Sequence, residues 1–149
     1  MKKITSMFFF ALTFLSCHKD NQSLDFDITK VYAENAAKVT ITNGIWGTIA
    51  FKEGNCMPTP QPQLSTCKTY PVKRTVRIYE YTTIDNAIPK KATAFYDSFS
   101  SRLIKEIETD DNGFFQTSIS PGHYTIVVVE NGKLYVNGFD GASALRAAC

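Results

Sequence analysis

Histidine is scarce in this chain: its 149 residues hold two, His18 and His123. No Gly-x-Ser-x-Gly, His-x-x-x-His or Cys-x-x-Cys occurs. Those gaps remove the usual signatures of a serine hydrolase, a helical zinc site and a thiol redox site. A surplus of one charge is missing too. There are 16 Lys and Arg against 14 Asp and Glu, and loss of Lys2 and Lys3 would balance them. A nucleic-acid binder needs a clustered basic face, and none is visible, so nucleic acid is not an expected partner. Tryptophan occurs once, at Trp46, and is expected to pack in the core or at a sheet edge. Convincing helical stretches are few.

The groups that remain have ordinary readings. His123 follows Pro121-Gly122 and is expected as an exposed turn residue, not a base. Asp110-Asp111-Asn112-Gly113 carries oxygens that suit calcium, but it lacks the alternate spacing of a calcium loop. Asx turns favour the same residues. Glu106 and Glu108 alternate on one strand face and are expected to be solvated. Catalysis needs a nucleophile, a base and an orienting group within reach. No such set is present, so no enzyme activity, cofactor or metal is expected.

What is present begins at the front. Lys2 and Lys3 form a positive head, Met7 to Leu15 read "MFFFALTFL", and the small Ser16 precedes Cys17. A charged head, a short apolar run and a small boundary residue define a secretory signal peptide over residues 1–16. The run is too short for a membrane span, which takes roughly 20 residues. With a cysteine at that boundary, the segment resembles a bacterial lipoprotein signal peptide. Phe14 stands where leucine is usual, and Leu15 replaces a smaller residue. The resemblance implies cleavage after Ser16 and a lipid on Cys17, which makes the membrane a partner. An ordinary leader with an incidental cysteine is the alternative. One acyl chain binds only marginally, at about 0.8 kcal/mol per buried CH₂, so firm anchoring takes several. His18 is not the aspartate that retains enteric lipoproteins at the inner membrane, so the outer membrane is implied. Lys19-Asp20 hints at surface display in place of the periplasmic face.

Residues 17–38 are expected to hold the lipidated cysteine and a tether, although "VYAENAAK" can form a helical turn. Residues 39–149 are one domain's worth of chain. Exported proteins meet an oxidising compartment, so the neighbouring Cys56 and Cys67 are expected to form a disulfide. Cys149 is either an incidental residue or a thiol that cross-links two molecules.

Alternation marks the strands. Val39–Thr42 alternates apolar with polar. Ile45, Gly47, Ile49 and Phe51 share one face, with Gly47 where two backbones come close. Val76 and Ile78 point inward and Arg77 and Tyr79 outward. Leu103 and Ile107, then Phe115, Thr117 and Ile119, then Tyr124, Ile126 and Val128 turn to the core, and Leu134–Asn137 makes the last clear strand. Pro121-Gly122 suits a type II turn and Asn131-Gly132 a tight hairpin. Two connections are long: 54–71, with the cysteine pair, and 82–101. The expected fold is all-β, an antiparallel immunoglobulin-like or prealbumin-like sandwich of about six or seven strands.

The segments "GTI", "TVRIY", "TDDNGFF" and "ISPGHY", spread over residues 44–141, resemble the carboxypeptidase regulatory-like domain. The variant here looks like a group of small bacterial lipoproteins. The resemblance implies a prealbumin-like sandwich serving as a non-catalytic accessory or cell-surface module. The same sandwich hosts transthyretin-related hydrolases, which end in Tyr-Arg-Gly-Ser; this chain ends "LRAAC". That ending, with its alanines, breaks the alternation expected of a final strand. Either the terminus is truncated or altered, or the sheet stops early and leaves an edge. Two functions follow as expectations. The first is a structural docking module for an envelope protein. The second is a binder of glycan or peptide through the Cys56–Cys67 loop and the aromatics Tyr70, Tyr79, Tyr81, Phe95 and Tyr96.

Overall fold

The computed structural model describes residues 27–58, 60, 65–139 and 145–146. The expected leader 1–16, the lipidation candidate Cys17 and the terminal Cys149 lie outside the described residues. In chain order come helix α1 (Ile28–Ala37) and the strands β1 (Ile45–Thr48), β2 (Ala50–Glu53), β3 (Lys68–Pro71), β4 (Thr75–Glu80), β5 (Ala87–Ile88) and β6 (Phe95–Tyr96). There follow β7 (Ser98–Phe99), β8 (Leu103–Glu108), β9 (Phe114–Thr117), β10 (Tyr124–Glu130), β11 (Lys133–Tyr135), β12 (Gly138–Phe139) and β13 (Leu145–Arg146).

These strands build an all-β sandwich. One layer is a five-stranded antiparallel sheet in the order β6–β11–β10–β4–β8. The other joins two antiparallel pairs, β1 with β9 and β2 with β3. Ile49 links them. Its N–H donates to the Gly113 carbonyl at 2.8 Å, and its carbonyl accepts from the Val72 N–H at 3.1 Å. The β10–β11 hairpin turns on Asn131 (φ 51°) and Gly132 (φ 77°), the two positive angles that such a turn requires.

The five-stranded sheet is buried on both faces, which alternation alone does not reveal. On one face Val76 and Val128 pack with Ile49 and Phe115 of the second layer. On the other, Tyr79, Val127 and Leu134 pack with Ala87, Tyr96, Val136 and Leu145. The connection 82–101 supplies much of that second core. It carries a short 3₁₀ turn (Ile84–Asn86) and the β5–β7 pair, and it covers the face expected to meet solvent. Tyr79 does oppose Val76 and Ile78, as alternation requires, but its face is covered.

Other expectations change as well. Val39–Thr42 forms no strand; the Thr40 N–H donates instead to the Gln116 side chain. Leu103 is exposed, because the β4–β8 register shifts between Ile78 and Tyr79. Of its two expected places Trp46 takes the sheet edge, 47% exposed on β1, which pairs only with β9. Phe51 leaves the core face at the end of its layer and is 44% exposed. Gly47 faces the Phe115 ring, so a side chain and not a second backbone makes the close approach. Gly122 is not among the glycines with positive φ, so no type II turn forms there. The Tyr124 hydroxyl instead donates to the Ser120 carbonyl at 2.8 Å, with its ring against Gly122, a tyrosine corner that opens β10. Near the C-terminus the chain does add a strand: β13 pairs with β12, and Leu145 is buried.

The tether is shorter than residues 17–38. Asp27 caps α1 by accepting the Thr29 N–H at 3.0 Å. Val31 and Asn35, one turn apart, are the buried residues of its inner face. Asn35 Nδ2 donates to Thr48 Oγ1 at 2.9 Å and to the Asn112 carbonyl at 2.8 Å. More than half of the expected tether, from Asp27 to Lys38, is therefore helix and caps packed on the domain.

Candidate functional site

Where α1, the β2–β3 hairpin and the β11–β6 side of the large sheet meet, they leave a groove of about 500 Å³. That volume lies in the range of about 300–1,000 Å³ typical of small-ligand sites. Phe51 on β2 and Tyr32 on α1 stand on one side, with Phe95 on β6 and Tyr135 on β11 on the other. Phe51, Phe95 and Tyr32 are all exposed, at 44%, 43% and 44%. Phe51 and Phe95 are each braced by a neighbouring ring. Phe51 lies 5.8 Å from Tyr70 in a tilted contact, and Phe95 lies 5.2 Å from Tyr135. Both are cross-strand pairs, so the strand register fixes them.

Two of the three charged lining residues pair with each other, and the third, Lys52, is exposed. Arg74 Nε and a second guanidinium nitrogen donate to the Glu130 carboxylate. The pair is about one-third exposed. The Arg74 N–H donates to Thr109 Oγ1 at 2.9 Å, and that hydroxyl donates to the Val72 carbonyl, which holds the segment before β4 against the groove. Tyr70 Oη donates to Glu53 Oε2 at 2.9 Å. This bond to a carboxylate, ahead of desolvation and the carboxylate charge, holds the phenol above its ordinary pKa.

Cys56 and Cys67 form a disulfide, with their Cα atoms 4.6 Å apart. It closes the chain just beyond the β2–β3 ladder, whose last pair is Glu53 and Lys68. The five aromatics singled out from the sequence do not form one site. Phe95 lines the groove, and Tyr70 braces Phe51 beside it. Tyr79 and Tyr96 are core residues. The Tyr96 hydroxyl donates to the Lys91 carbonyl at 3.0 Å and accepts from the Thr93 N–H. Tyr81 lies past the far end of β4, its ring edge-on to His123 at 6.3 Å. Phe51, Tyr32 and Tyr135 were not legible as site residues. Phe51 reads as core by alternation, and Tyr32 depends on how α1 docks.

The Asp110 turn takes the Asx form. Its Oδ1 accepts from the Asn112 and Phe114 N–H groups, both at 2.9 Å, and its Oδ2 accepts from Lys38 Nζ at 2.7 Å. Glu106 pairs with Arg77, and that hydrogen bond, against some desolvation, raises the guanidinium pKa further. Among the described residues no group of three or more His, Cys, Asp or Glu is placed to hold a metal ion. No helix of the described residues is long and apolar enough to cross a membrane. Fold and groove together define a β-sandwich with an aromatic cleft between its layers. No protein family, curated protein or solved structure matches the chain.

Proposed function

We propose that this chain is a non-catalytic lipoprotein of the bacterial outer membrane, anchored through Cys17, that holds a ligand in the groove between its layers. The observation that carries this reading is the pair of exposed, braced rings, Phe51 and Phe95, one on each layer of a concave site. Single exposed aromatics are common, but large apolar residues gathered at one cleft mark interaction sites. The Cys56–Cys67 disulfide supports export, since such bonds persist in oxidising compartments. The resemblance to the carboxypeptidase regulatory-like domain supports an accessory role in the envelope.

Docking of an envelope protein on a bare sheet edge is the second reading. Leu103, exposed on the edge strand β8, favours it. Lys105, Glu106 and Glu108 on the same strand are the kind of charge that keeps an edge from pairing, so the groove ranks first. A photo-cross-linking amino acid tests the order in intact envelopes. Placed at Phe95 it should give discrete adducts, while the same group at the exposed Trp46 or Leu103 should not. Adducts at Leu103 with none at Phe95 would replace ligand binding by edge docking.

A further inference from the structure

We infer that the groove is a saccharide site that takes a neutral oligosaccharide, with pyranose faces laid against Phe51 and Phe95. The inference rests on the groove reading above and names its ligand. The C–H face of a pyranose is weakly positive, and the face of an aromatic ring is negative. A ring serves that contact best when its plane is already fixed. Tyr70 fixes Phe51, and Tyr135 fixes Phe95, so little side-chain freedom is lost on binding. Arg74 and Glu130, which line the same groove, cancel in charge but remain about one-third exposed. Lys52, the third charged residue of the lining, is exposed and screened by solvent, so the surface offers donors and acceptors with only a weak field. It matches hydroxyls, which donate and accept, better than it matches a charged ligand.

The peptide alternative fits less well. A strand-adding peptide needs a row of free backbone groups. The hairpin edge at the groove, β3, is four residues long and ends on Pro71, which has no N–H. The other edge strand at the groove, β6, is only two residues long.

The test uses the full chain purified in detergent, probed on an array of neutral and acidic oligosaccharides and then by calorimetry with the best neutral one and an uncharged extended peptide. At least one neutral oligosaccharide should bind. Phe51→Ala and Phe95→Ala should each weaken it about ten-fold or more, equal to about 1.4 kcal/mol. Trp46→Ala, outside the groove, should leave it unchanged. Raising salt from about 0.05 to about 0.5 M should change the affinity little, because a neutral ligand brings no charge, Arg74 and Glu130 are paired, and the exposed Lys52 is screened by solvent. Phe51→Leu and Phe95→Leu, which keep apolar bulk but lose the ring, should weaken it as well and guard against a folding artefact. Binding of the peptide alone, dependent on Phe51 and Phe95, would overturn the saccharide assignment and leave the groove reading standing. Binding only of acidic sugars, lost in high salt, would also overturn the neutral assignment. No binding by any probe, or binding indifferent to both rings, would overturn the assignment, and the cross-linking result at Phe95 then decides the groove reading separately.

Discussion

At the scale of single residues, two asparagine–glycine steps that read alike have different jobs. Gly132 has φ 77° with open space around its Cα, so an added methyl meets nothing. Gly113 has φ 70°, and a Cβ there would stand 2.2 Å from the Ile49 carbonyl oxygen. Gly132→Ala should therefore cost only the left-handed backbone penalty, about 1 kcal/mol. Gly113→Ala adds a backbone clash at the residue that joins the two strand pairs of the second layer. It should cost about 3 kcal/mol or more in urea unfolding, and equal midpoints for the two variants would refute the contrast. Asn35 makes a similar point. It is fully buried, its Nδ2 ties α1 to Thr48 and Asn112, and its Oδ1 has no partner among the described residues. Asn35→Ala removes both hydrogen bonds of the Nδ2 group and should destabilise by about 1–3 kcal/mol, from about 0.5–1.5 kcal/mol for each. An unchanged urea midpoint would mean that this tie contributes nothing. The turns were legible because Asn-Gly has a local meaning. The task of Asn35 was not, since it depends on a partner 77 residues away.

At the scale of elements, the clearest gap between sequence and structure is the stretch 82–101. It reads as a long connection because it has no sustained alternation, yet Tyr96 and Ala87 within it are wholly buried. Its order comes from contacts across the sheet, which no local pattern records. Strands β4, β9 and β10 were legible because they are runs rich in β-branched and aromatic residues, and the turns before β9 and β10 carry glycine. Helix α1 was visible only as one doubtful turn. What holds it down is partly electrostatic and therefore tunable. Burial raises the pKa of Asp110, but the hydrogen bond from Lys38, followed by those from Phe114 and Asn112, outweighs it, so the net value is lowered. A carboxyl depressed in the folded state adds stability that is complete above its unfolded value and disappears as pH falls through the folded one. Between about pH 5 and about pH 3, wild type should lose more stability than Asp110→Asn, although the pair is surface-exposed and worth under about 1 kcal/mol. Urea midpoints across that range decide it, and parallel curves would show that the Lys38–Asp110 contact is idle.

At the scale of the whole molecule, α1 sets how far the domain stands from its proposed anchor. Residues 17 to 27 link Cys17 to the helix cap. Even fully extended, that link reaches about 35 Å, from roughly 3.5 Å per residue. The groove, one wall of which is Tyr32 of the same helix, would therefore work close to the bilayer and not at the end of a long stalk. This follows only if the lipid is on Cys17, which makes the anchor the first thing to test. In the lipoprotein reading, Cys17→Ser should accumulate as a precursor with its leader attached, and globomycin should have the same effect on wild type. Palmitate should label wild type and not the variant. High salt should leave wild type on the membrane, since several acyl chains hold by apolar burial and not by charge. A wild-type chain that matures without palmitate and washes off would release the domain from the membrane. The groove would then have to find its ligand in solution, and the short reach of the tether would carry no functional meaning.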